Sequence, residues 1–228
     1  MNNQAQQLVS ELEALFQTKA NPSKAPAMEA YLRNQFRSFG INSPDRCEII
    51  RSLRPAFKKQ PPAIAAQFAL ICWEHPMREM QYAGMDLYSA FAENPDANII
   101  ATCETLITHK SWWDTVDYIA PNIVGNWLKK YPADIRPVTD RWMDSGHLWL
   151  QRSCLLFQLK HKDKLDFELL RSFITRLNTH PDFFIRKAIG WSLRSYARQN
   201  PEGVKQFVAS TALSNLSRRE ALKHLADN

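Results

Sequence analysis

Leu8-Val9-Ser10-Glu11-Leu12-Glu13-Ala14-Leu15-Phe16 places its apolar residues at i, i+3, i+4 and i+7 intervals, the spacing of one buried stripe on an α-helix. The same period runs through nearly the whole chain. No run alternates long enough to read as a strand, and no Asn-Gly or Asp-Gly pair separates alternating runs. Breakers at Asn21-Pro22, Ser43-Pro44, Gln60-Pro61-Pro62, His75-Pro76, Asn94-Pro95, Tyr131-Pro132, His180-Pro181 and Asn200-Pro201 cut most of the sequence into segments of about 12 to 20 residues, with longer stretches between Pro95 and Tyr131 and between Pro132 and His180. The fold class expected is all-α.

The breakers also keep step. Second-helix starts fall near Pro76, Ser111, Gly146 and Pro181, each 35 residues after the last, which is the length of a helix-pair repeat. Superposing the four segments puts Glu79, Asp114, Trp149 and Phe184 in one column, Tyr82, Asp117, Arg152 and Lys187 in the next, and Ala83, Tyr118, Ser153 and Ala188 in a third. Equivalent positions of stacked repeats line one face of a solenoid. The Tyr82 column is therefore expected to form a polar stripe on the concave, ligand-binding side. No low-complexity tract or Gly/Ser linker divides the sequence, so residues 1–228 are read as one domain.

Size and charge narrow the partners. No apolar run in the 228 residues is long enough to span a bilayer, which takes roughly 18 to 20 residues. The start, Met1-Asn2-Asn3-Gln4-Ala5-Gln6-Gln7, lacks the basic and apolar regions of a secretory signal; a soluble, cytoplasmic protein is expected. Cys47, Cys72, Cys103 and Cys154 are widely spaced with no C-x-x-C, so each is expected in the core instead of in a zinc site or a disulfide framework. Lys and Arg number 29 against 23 Asp and Glu, for a net charge of +6 and a pI near 9.2. An anionic partner is favoured.

One stretch carries unusual chemistry: Lys110-Ser111-Trp112-Trp113-Asp114-Thr115-Val116-Asp117-Tyr118. On a helix Trp113 and Asp117 are i and i+4, so indole and carboxylate border the same space. Asp114 falls in the first turn, where a carboxylate complements the helix dipole, and Trp112 reads as a core residue. Asp117 shares its column with Arg152 and Lys187, which leaves two readings: a plain salt bridge, or an ionised acid between aromatic walls that steadies a cation or holds a water. Arg152 and Lys187 suit phosphate contact, and Arg186, Arg194, Arg198, Lys205, Arg218, Arg219 and Lys223 add positive charge to the C-terminal half. Trp191, four residues after Lys187, is either core packing or an exposed aromatic wall. There is no Gly-rich phosphate loop, H-E-x-x-H, G-x-S-x-G elbow or zinc-deaminase signature.

Taken together, several motifs are shared with one family. They are Asn21-Pro22 with Ala30-Tyr31 and Phe39-Gly40-Ile41, then Lys110 to Asp117, Trp149-Leu150-Gln151-Arg152 and Phe157-Gln158-Leu159-Lys160. Lys187-Ala188-Ile189-Gly190-Trp191 and Ser217-Arg218-Arg219-Glu220-Ala221 complete the set. In these the chain resembles the DNA alkylation repair glycosylases of the AlkD type, built from HEAT-like helical repeats. The resemblance implies a superhelical solenoid with a concave cationic face for DNA. It implies that Asp117 is the catalytic carboxylate, that Trp113 and Trp191 flank the deoxyribose of the lesion, and that Arg152 meets the DNA backbone. Tyr31 matches a position near the DNA, while Asn42 stands where a longer Gln is expected; beside the resemblance, Lys187, Arg194 and Arg186 are read from their charge as further DNA-binding residues.

The implied reaction is hydrolysis of the N-glycosidic bond of N3- or N7-alkylated purines, such as 3-methyladenine and 7-methylguanine, in double-stranded DNA. It leaves an abasic site without full base flipping. The resemblance implies no cofactor or metal, no membrane partner, and a cytoplasmic monomer that associates with the nucleoid when bound to DNA. Two other classes fit a helical repeat: a DNA-binding protein that excises nothing, and a protein-interaction solenoid, which would need an apolar or acidic concave surface.

Overall fold

Helices begin at Arg78, Trp113, Leu148 and Phe183, so the 35-residue step read from the sequence is the step of the structure. Each start falls two residues beyond the expected breaker, because the residue just before the helix, Met77, Trp112, His147 or Asp182, is still extended. The structure is a computed structural model that describes residues 2–225, and among these there is no strand, only one isolated bridge between Arg37 and Met77. Among the described residues no helix is long and apolar enough to cross a membrane.

The chain divides into two units, Met1–Leu106 and Ile107–Asn228. Unit 1 holds α1 (Asn2–Lys19), α2 (Ala25–Tyr31), α3 (Ser43–Phe57), α4 (Pro62–Glu74), α5 (Arg78–Tyr88) and most of α6 (Ile99–Thr108). Helix α4 packs on α5 and on α1, burying Leu12, Phe16, Phe68, Trp73, Met80 and Tyr88. Of the stripe that opens the sequence, Val9, Leu12 and Phe16 form the face α1 turns inward, whereas Leu15 is 38% exposed. A buried carboxylate organises this unit. Glu79 is 1% exposed and accepts from the Ser38 hydroxyl at 2.6 Å and from the amides of Phe39, Gly40 and Ile41 at 3.1, 3.1 and 3.2 Å. Four donors replace the water that burial removes.

Gly40 makes that turn possible. Its φ is +78°, and a Cβ there would lie 2.0 Å from the Asn21 carbonyl oxygen. Gly40→Ala combines left-handed backbone strain with a clash against main chain, so it is expected to cost about 2–4 kcal/mol. Urea unfolding checks this; an unchanged midpoint would mean that the turn has another way to close.

Unit 2 holds α7 (Trp113–Ile119), α8 (Gly125–Lys130), α9 (Ile135–Asp144), α10 (Leu148–Leu156), α11 (Phe167–Leu177), α12 (Phe183–Tyr196), α13 (Pro201–Ser210) and α14 (Asn215–Leu222). Helix α10 packs on α7, α9 and α12, and α12 packs on α14. Trp112, Trp149 and Phe184 cluster with ring centroids 5.0–5.9 Å apart. Trp149 and Phe184 hold the same repeat position, so neighbouring repeats meet through equivalent residues. Cys72, Cys103 and Cys154 are buried as expected, whereas Cys47 is half-buried; it lies near Ser43, one turn back on α3. All four thiols are free.

Candidate active site

Trp112 is extended, and α7 starts at the next residue, with Asp114 in its first turn. Asp117 follows one turn after Trp113 and therefore shares its face. Its carboxylate takes two parallel hydrogen bonds from Arg152: Nε to Oδ1 and Nη2 to Oδ2, both at 2.8 Å. The repeat explains the meeting, since Asp117 and Arg152 are equivalent residues on two second helices that pack together. The guanidinium is further tied by Nη1, which donates to the Phe184 carbonyl at the start of α12. Only 5% of the Arg152 side chain is exposed, against 17% for Asp117.

Beyond Asp117 the helix changes character. Pro121 has no amide hydrogen to give the carbonyl four residues back, that of Asp117, and the chain passes through a π-helical turn at Ala120–Val124 before resuming as α8. Single π turns often mark functional sites. Asn122 steadies this one, donating from Nδ2 to the Tyr118 carbonyl at 2.7 Å while its Oδ1 accepts from Lys160 Nζ at 2.5 Å.

A cleft of about 280 Å³ opens here. Asp117, Pro121 and Asn122 form one wall, Trp191 with Ser195 and Arg194 another, and Leu159, Lys160 and Arg198 complete the lining. It offers one carboxylate, one indole and three cations. Burial pushes the Asp117 carboxyl above its ordinary pKa, more than the hydrogen bonds and charge of Arg152 pull it down, and the nearby Asp114 charge adds to the rise. Such a group is a strong acceptor that is poorly hydrated.

The chain matches the model of a family described as DNA alkylation repair enzymes over residues 12–225. It belongs to that family. A solved structure described as a predicted DNA alkylation repair enzyme from Enterococcus faecalis is 30% identical, with a TM-score of 0.85 over 92% of this chain and 98% of that one. The crystal structure of AlkD2 from Streptococcus mutans, 15% identical, shares the fold with a TM-score of 0.67 over 96% of this chain and 98% of that one. No curated protein matches. The chain is thus a DNA alkylation repair protein built of AlkD-type helical repeats.

Within this family member, the residues singled out from sequence fall in several places. Asp117, Trp191 and Arg194 line one cleft, with Arg152 directly behind Asp117. Trp113 is half-buried at the start of α7 and is not part of the cleft wall. Lys187 and Arg194 both bind Glu220 on α14, at 2.9 and 2.8 Å. Lys187, and then Arg194, hold the Glu220 carboxyl below its usual range against the opposing effect of burial. This triad depends on close packing: a Cβ on Gly190 would lie 2.4 Å from Glu220 Cβ and 2.9 Å from the Ser217 carbonyl oxygen.

Arg186 donates from Nε to the His180 carbonyl at 3.0 Å, as Gln81 donates to the His75 carbonyl at 3.0 Å. Gln81 and Arg186 are three repeats apart, and both brace the turn into a second helix. Tyr31, 71% exposed, lies in unit 1 and lines a different cavity. Asn42 caps α3, its Oδ1 accepting from the Asp45 amide at 2.9 Å, a task for which the short Asn side chain is suited.

Sequence reading missed Pro121, Asn122 and Lys160 as site residues. A proline inside a helical period was the available signal for the first. Lys160 stood in a shared motif but outside the 35-residue column, and nothing in the sequence tied it to Asn122.

Proposed function

We propose that this DNA alkylation repair enzyme is a monofunctional glycosylase that hydrolyses the N-glycosidic bond of cationic N3- and N7-alkylpurines in duplex DNA. The observation that carries the proposal is the Asp117 carboxylate, fixed by two bonds to Arg152 at the wall of a cleft that also holds Trp191 and three cations. The family match runs across both units, which supports treating them as one repair domain; a monomer that needs no cofactor is part of the proposal.

The chemistry suits a single carboxylate. An alkylated purine already carries positive charge, so when the C1′–N bond breaks its electron pair passes to the base, which leaves neutral. No general acid is needed, unlike in a two-carboxylate sugar hydrolase. Asp117, ionised, stabilises the oxocarbenium-like sugar and orients the water whose oxygen bonds to C1′, its proton passing to solvent. The indole of Trp191 favours the positive charge through its face, while Trp113, outside the cleft wall, carries no such role here. Lys160 and Arg198 supply charge for the phosphates beside the lesion, whereas Arg194 is held by Glu220. Reading the backbone in this way fits excision without full flipping of the base and predicts tolerance of bulky adducts.

Release of 7-methylguanine and 3-methyladenine from methylated duplex DNA, with uracil-containing duplex as control and a chelator present, tests the reading. The expected result is release of both cationic bases and no release of uracil. The rate should also report Asp117. Its raised pKa means that excision is lost on acidification at a pH above the ordinary Asp value of about 3.9, and is fully present only above the raised value. A pH-independent rate would remove Asp117 from the reaction. Salt-sensitive duplex binding with no base release would leave a DNA-binding repeat protein that excises nothing.

A further inference from the structure

A second cavity, of about 360 Å³, lies wholly within unit 1, inside the roughly 300–1,000 Å³ range of small-ligand sites. Its wall is a ladder of alternating rings and guanidiniums. Arg78 Cζ lies 3.7 Å from the Phe36 ring centroid and 5.6 Å from that of Tyr82, and Arg46 Cζ lies 4.4 Å from the Tyr82 centroid. Tyr31 lines the same cavity with most of its side chain in solvent. Tyr82 holds in its repeat the place that Asp117 holds in the next, so the position that brings a carboxylate to a cleft in unit 2 brings an aromatic side chain to a cavity here.

The charges of the cavity are arranged for an anion. Its two carboxylates are engaged by the protein: Glu79 by the Ser38 hydroxyl and three amides, Glu29 by the Ser38 amide at 2.9 Å. Arg37 is exposed at the rim and Arg46 bonds the Ser43 hydroxyl at 3.5 Å; neither has a carboxylate partner among the described residues. Flat faces with two such guanidiniums match one nucleotide of a DNA strand, a base with a singly charged phosphodiester on either side. A paired, stacked base cannot enter a cavity; only an unstacked one can.

We propose that this cavity takes an unpaired nucleotide of the bound DNA, its base stacked on the ring and guanidinium ladder and its phosphates on Arg37 and Arg46. The proposal rests on the DNA-binding part of the reading above and not on excision. The test compares binding of a duplex with a single bulged 2-aminopurine and the same duplex fully paired. The bulged duplex is expected to bind about tenfold tighter or better, with quenched emission, since one base stacked on aromatic groups is worth that factor or more.

Ala27→Trp, which fills the cavity without changing charge, and Arg46→Ala should each erase the preference and the quenching. Both variants should keep the circular dichroism of the parent, and Ala27→Trp its paired-duplex affinity as well. Equal affinity for the two duplexes, or a preference that survives Ala27→Trp, overturns the proposal, as does free dAMP displacing the bulged duplex at equal nucleotide concentration. A chain that prefers the bulge but releases no alkylpurine keeps this site and loses the excision reading; one that excises without preference does the reverse.

Discussion

Asp117→Asn lowers single-turnover release of 7-methylguanine by about 10²–10⁴-fold and leaves duplex affinity within about threefold of the parent. The asymmetry follows from where the charge is needed. In the proposed reaction the carboxylate acts on positive charge that grows at the sugar in the transition state, so its removal is felt in the chemical step and little in ground-state binding. Asn keeps the shape and one acceptor oxygen toward Arg152, but its amide NH₂ faces a guanidinium donor that now meets no acceptor. Some stability is therefore lost as well, and thermal unfolding of the variant should accompany the rate measurement. Full excision by a folded Asp117→Asn chain would sink the catalytic assignment.

Arg152→Ala has the larger effect on the fold. Removing one partner of a buried ion pair leaves an uncompensated charge, at a cost of about 3–5 kcal/mol, and here the Phe184 carbonyl loses its donor too. The variant also separates two roles. A phosphate contact, as the resemblance implies, predicts a salt dependence of duplex binding that is shallower by about one. A guanidinium whose Nε, Nη1 and Nη2 all bond within the protein, with 5% of the side chain exposed, predicts a different outcome. The salt slope stays as it was, and the acid limb of excision moves to higher pH because burial still raises the Asp117 pKa while the opposing guanidinium is gone. Raising the pH then recovers part of the lost rate in the variant, which a merely structural role would not produce. An unmoved acid limb would deny Arg152 any part in setting the charge of Asp117.

The helical class and the repeat step were legible because both are periodic. Apolar spacing in Leu8–Phe16 reports the inward face of a helix locally, and a step of 35 survives any error in helix boundaries, so the four second-helix starts were misplaced only by a constant two residues. A salt bridge between Asp117 and Arg152 was one of the two readings that their shared column left open, since equivalent positions of packed repeats can approach one another. Other partners were not legible, because they break the period. Lys187, placed by the column beside Asp117 and Arg152, turns to Glu220 on a helix from another part of the sequence. Arg186, one residue earlier on α12, bonds a backbone carbonyl at a turn.

By itself, then, the sequence determined the helices and their repeat, and it supplied the carboxylate and indole on which the proposed chemistry draws, since these depend on residue identity and on spacing along one chain. Only the tertiary structure decided which charges are free and which are spent. Glu220 claims Lys187 and Arg194, Arg152 is buried behind Asp117, and Lys160 with Asn122 enters the cleft wall. Those outcomes depend on distances of a few ångströms between segments that sequence order leaves far apart, and on the burial that decides whether a charge is solvated or must find a partner.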